Sequence, residues 1–119
     1  MTSVAGPAYV AAVLVLYIEL PDTPRTASAY DQAVARSLFQ RGVPLDIVES
    51  ALLLGSLRRR NRPQGALPLP PVRSLAYFAS NIDQILQQPL PAGYREYLRS
   101  KADQHLRLKV QKTTFSSDR

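Results

Sequence analysis

The 119-residue chain contains no cysteine, which excludes disulfides, thiolate metal centres and cysteine nucleophiles together and fits a reducing, cytoplasmic setting. Its one histidine, His105, has no Ser, Asp or Glu beside it at a spacing that would build a catalytic triad. The five glycines are scattered at 6, 42, 55, 65 and 93, so no glycine-rich loop is available to cradle a phosphate. Asp46 and Glu49 lie three apart, but carboxylates near a helix start are accounted for by the helix dipole without a metal or acid–base role. A non-enzymatic protein with no cofactor and no metal is expected. Long hydrophobic runs are lacking too: Ala8–Leu20 offers about 13 apolar residues where a membrane-spanning helix needs about 20. No Lys or Arg precedes Arg25 to form the basic start of a signal peptide, so neither export nor a membrane is expected.

The most informative scarcity concerns charge of one sign. Between Glu49 and Asp83 the chain holds no acidic residue, yet it carries Arg58, Arg59, Arg60, Arg62 and Arg73. With a net charge of +6, that local excess points to a polyanionic partner, and guanidinium groups pair with phosphate through two donors and need no base code. The competing explanation is a solvated helix C-terminus, where positive charge is favoured by the dipole. A second basic group, Arg95, Arg99 and Lys101, interleaves with Tyr94 and Tyr97, which offers either a base-stacking surface or a helix packed on the core through its tyrosines.

An apolar share of 45% with 20% charged residues is ordinary for a globular chain, and the length suits a single domain. The expected architecture is all-α: a compact bundle of four to five helices spanning residues 1–111, followed by a flexible tail at 112–119. Pro7 and the alanines after it suggest a first helix over 7–20, although Val, Ile and Tyr there keep a buried strand as the competing reading. Ser28 and Asp31 form a capping-box pattern for a second helix over 29–41, ending at Gly42. Pro44, with Asp46 and Glu49 early and arginines late, marks a third helix over 44–60, expected to be the most buried. Asn61–Pro71 reads as loop. The spacing of Val72, Leu75, Ala79, Ile82 and Leu86, widened by Phe78 and Ile85, predicts a fourth helix, and residues 91–109 a fifth.

The second and third helices, joined by a tight Gly-Val-Pro turn, make a helix-turn-helix-like pair, with Ala33, Leu38, Val48 and Leu52 expected inward. The third helix opens with Asp46 where a groove-reading helix usually presents Arg, Lys, Asn or Gln, so a plain helical hairpin in the core is the favoured alternative to base readout. Gly42-Val43-Pro44-Leu45-Asp46-Ile47-Val48, the arginine-ended helix, and Arg73-Ser74-Leu75-Ala76-Tyr77-Phe78 with Ile82 and Ile85 resemble small helical proteins of bacterial plasmids and mobile elements. More distantly, residues 28–88 resemble the C-terminal helical module of DnaD-type replication-initiation proteins, without that family's separate winged-helix domain. The resemblance implies DNA binding and a part in replication or maintenance of a mobile element, with no catalytic residue to carry over. The sequence therefore predicts a DNA-binding accessory protein contacting phosphates through Arg58, Arg59, Arg60, Arg62 and Arg73, then Arg95, Arg99 and Lys101. An alternative is an interaction module that docks its apolar first helix on a partner or a second copy of itself.

Overall fold

A computed structural model of the protein describes residues 6–63, 65–67 and 69–103, and every regular element among them is helical. The first helix, α1, runs Gly6–Ile18, so the strand alternative is discarded. Its end comes two residues before the expected one. The Leu20 amide turns back to the Tyr17 carbonyl, and the Thr23 hydroxyl lies 2.7 Å from the Leu20 carbonyl and 3.0 Å from that of Tyr17, satisfying acceptors that a finished helix leaves open. Tyr9, Val13 and Tyr17, spaced by fours, are the residues α1 buries.

Helix α2 (Ala29–Gln40) starts on a reciprocal box: the Asp31 amide donates to Ser28 Oγ at 3.1 Å and the Ser28 amide to Asp31 Oδ2 at 2.9 Å. The other Asp31 oxygen accepts from the Leu75 amide at 2.9 Å. One buried carboxylate thus sits at the start of two helical segments, where the partial positive charge of unpaired amides offsets the cost of taking it out of water. The inward face of α2 is Asp31, Ala35 and Leu38; Ala33, expected inside, is exposed. Gly42, with φ +73°, closes the helix in a left-handed turn whose amide bonds to Phe39 while the Val43 amide bonds to Leu38.

Helix α3 (Leu45–Arg60) follows, burying Val48, Ala51, Leu52, Leu54 and Gly55. It lies against α1 on one side and α4 on the other, as the central element. Helices α2 and α3 diverge from their turn, and each packs on α1 more than on the other. The pair sits in the core as expected, with α3 buried along most of its length.

After the proline-rich loop, Ser74 Oγ caps a single 3-10 turn, Leu75–Phe78, which runs directly into α4 (Ala79–Gln87). Because the first turn is wound at three residues, the buried stripe is Leu75, Phe78, Ile82 and Ile85, whereas Ala79 and Leu86 of the predicted stripe face solvent. Gly55 stands where α3 meets this segment so closely that a Cβ there would lie 2.7 Å from the Phe78 ring. Residues 94–103 form α5, anchored in the core by Leu98. The helix starts three residues later than the expected 91, after a turn at 92–93, and its predicted end, with His105, and the predicted tail lie outside the described residues.

Candidate polyanion site

The C-terminal turn of α3, the returning loop and the start of α4 bring most of the first arginine group together. Arg58 and Arg62 are four apart and exposed on one side of a cleft of about 540 Å³, whose other walls include Tyr77, Ser80 and Asn81. Among the described residues that line it, none is acidic. Arg58 Nη1 donates to Gln84 Oε1 and Arg62 Nη1 to the Leu67 carbonyl, both at 2.8 Å. Each partner is neutral, so among the described residues neither guanidinium charge is compensated, and each group keeps further N–H donors to offer.

Arg59 is placed differently. Its side chain is only 8% exposed and pairs with Asp22 at 3.6 Å. Nη2 donates to the Pro70 carbonyl at 2.8 Å and Nη1 to the Tyr77 hydroxyl at 3.1 Å, with the guanidinium 5.2 Å from the centre of the Tyr77 ring. Arg59 therefore works as a clamp that fixes the proline loop and Tyr77 against the end of α3. Asp22, its ionic partner, is held at φ +64°, and its carbonyl accepts the Val72 amide at 2.8 Å, so the returning end of the loop is tied at both Pro70 and Val72. Arg60 turns inward as well: burial presses its pKa below the usual arginine value, partly opposed by the charge of Asp22, and its Nη1 is buried without a hydrogen-bond partner among the described residues. It remains a cation at any physiological pH.

No known family, curated protein or solved structure matches the chain. The cleft is accordingly interpreted through its own chemistry: a concave surface with two uncompensated arginines, an aromatic ring, a hydroxyl and a carboxamide.

Arg73 is exposed and borders a second hollow, on the far side of Tyr77 from Arg58. It precedes the 3-10 turn, outside the helical residues, rather than opening the fourth helix as the sequence suggested. The second basic group is largely committed to the fold. Arg95 and Arg99 converge on Glu49 of α3, at 3.6 Å and 2.5 Å, and the hydrogen bond to Glu49 raises the Arg99 pKa above its ordinary value. With the Glu49 side chain 16% exposed, this pairing locks α5 onto α3. Lys101 lies 5.6 Å from the centre of the Tyr97 ring, and Tyr97 stacks on Tyr94 at 5.5 Å, so these tyrosines cover each other.

Sequence reasoning missed Tyr77, Ser80 and Asn81 as neighbours of the arginines. One signal was present: glycine in the middle of an apolar helix, at position 55, marks a close approach by another element. Among the described residues no three His, Cys, Asp or Glu side chains converge as metal ligands, and no helix is long and apolar enough to cross a membrane.

Proposed function

We propose that the protein is a non-catalytic, cytoplasmic, DNA-binding accessory protein that holds backbone phosphates through Arg58 and Arg62, with Arg73 contributing from the adjoining hollow. The observation that supports this reading is a pair of arginines, Arg58 in the last turn of α3 and Arg62 just past its end, on a cleft whose lining among the described residues contains no acidic side chain. Arg41, Arg59, Arg95 and Arg99 are paired to Asp83, Asp22 or Glu49, whereas Arg58 and Arg62 have no acidic partner among the described residues and stand together on one cleft. A part in replication or maintenance of a mobile element is what the resemblance to small helical plasmid and mobile-element proteins, and more distantly to DnaD-type modules, adds to the proposal. Fluorescence anisotropy of a labelled oligonucleotide, titrated at several salt concentrations, tests it. Binding should weaken steeply with salt, and Arg58→Gln with Arg62→Gln should flatten the slope of log K against log salt by roughly 1 to 2. No binding at low salt would overturn it.

A second reading has its own observation. Helix α1 carries no charged residue, Val15 on it is 49% exposed, and an apolar cleft of about 520 Å³ lies between it and Phe39 of α2. Such a surface suits a protein partner or a second copy, and light scattering across concentration and salt would reveal it, since apolar association resists salt.

A further inference from the structure

The arginine cleft and the hollow beside it share one wall. Arg59, Leu69 and Tyr77 line both, forming a ridge with chemically different ground on its two sides. On one side stand Arg58, Arg62, Ser80 and Asn81, all polar. On the other, a hollow of about 560 Å³ is walled mostly by Leu69, Pro70, Pro71 and Val72, with Arg73 at its margin. The ridge is held in place before any ligand arrives: Arg59 bonds to the Pro70 carbonyl and the Tyr77 hydroxyl, and the Tyr77 ring meets Phe78 edge-on at 5.0 Å. A site set in advance loses less entropy on binding.

A nucleotide has a similar division of chemistry, with an anionic phosphate at one end and at the other a flat base whose faces suit an apolar or aromatic surface. We propose that the ridge seats one unpaired nucleotide unit, phosphate in the arginine cleft and base in the proline hollow, and that the surface holds single strands in preference to duplexes. This rests on the phosphate-binding reading above and deepens it. A base inside a duplex is stacked on both faces and cannot enter the hollow, whereas an unpaired base offers its face to Tyr77 and the prolines. The hollow beside the arginines is the more apolar of the two, as a base beside its phosphate would require.

The test uses the full chain with a fluorescein-labelled oligo-dT strand, the same strand annealed to oligo-dA, and free dTMP as competitor. The single strand should bind about tenfold more tightly than the duplex at equal salt, the order of magnitude that one stacked base supplies. Tyr77→Leu should bring that ratio close to one. Leu69→Asp, on the exposed loop and outside the core, should do the same, and it decides the question if Tyr77→Leu does not fold. Ser80→Glu should weaken both forms by adding negative charge to the phosphate side. Competition by dTMP where inorganic phosphate has no effect would assign the site to a nucleotide as such, and competition by the strand alone would assign it to nucleic acid; either supports the proposal. Equal affinity for both forms, with the ratio unmoved by Tyr77→Leu and Leu69→Asp, would overturn this inference and leave phosphate binding standing. Failure to bind either form at low salt would overturn both.

Discussion

Replacing Gly55 with alanine sets two effects in opposition inside α3. Alanine is the better helix former by about 1 kcal/mol, so at an open mid-helix site the exchange would stabilise the protein. At Gly55 the new methyl would stand 2.7 and 2.9 Å from two atoms of the Phe78 ring and 2.8 Å from Asn81 Oδ1. The ring cannot swing aside, because Phe78 is 1% exposed and is met by Tyr17 at 6.3 Å and by Tyr77 at 5.0 Å. Relief must come from separating α3 and α4, and overpacking of this kind costs about 1–3 kcal/mol. Contacts with two different side chains place Gly55 towards the upper end of that range. After the propensity gain, a net loss of about 1–2 kcal/mol is expected, equivalent to a fall in Tm of roughly 5–15 °C for a domain of this size. Thermal unfolding followed by far-ultraviolet circular dichroism measures it directly. Adding Asn81→Ala removes one of the two obstacles, so the double variant should be more stable than the sum of the single effects implies. A rise in Tm for Gly55→Ala alone would refute the reasoning, because propensity would then have won and the two helices could not approach as closely as described.

Asp31→Ala removes an acceptor shared by the Ser28 and Leu75 amides and should cost about 3 kcal/mol in denaturant unfolding, with faster hydrogen exchange at both amides. Tyr17 is buried, and burial first, then the charge of Asp31, pushes its pKa up to about 12. Since an unfolded tyrosine ionises near pH 10, the group's contribution is complete below about pH 10 and is lost as pH rises through about 12. Tyr17→Phe should remove its share of that alkaline loss in unfolding measured against pH. At neutral pH it should leave stability unchanged or raised by about 1 kcal/mol, because the hydroxyl has no hydrogen-bond partner among the described residues. Glu49→Gln releases Arg95 and Arg99 from the same carboxylate. It should destabilise the fold by about 1 kcal/mol in chemical denaturation while tightening oligonucleotide binding at low salt by freeing two positive charges.

How much of this could be read from the chain differs from element to element. The capping pair Ser28 and Asp31, the glycine at 42 and the charge gradient along α3 are local signals, and α2 and α3 begin and end within a residue of where those signals put them. Capping and left-handed turns depend on atoms within one turn of the chain, so sequence suffices for them. Helix α1 was harder. Apolar on every side, it carries no contrast to show which face turns inward, and only its packing against α2 and α3 selects Tyr9, Val13 and Tyr17. The same packing brings the Tyr9 hydroxyl to the Val43 carbonyl at 2.7 Å, across 34 residues of sequence.

The arginines divide along the same line. Their number, their clustering and the absence of acid between Glu49 and Asp83 belong to the sequence, and with them the positive charge at the end of α3. Which of them faces outward is a tertiary matter, because a helix turns successive residues by about 100° and consecutive arginines cannot share an environment. The return of the proline loop buries Arg59 over Tyr77 and turns Arg60 towards Asp22, the docking of α5 pairs Arg95 and Arg99 with Glu49, and Arg58 and Arg62 are left on the cleft with no acidic partner among the described residues. Sequence determined that this protein would be helical and locally rich in positive charge, since both follow from residue type and near-neighbour spacing. Only tertiary structure decided which charges the fold neutralises, since the acidic partners come from segments far away in the chain.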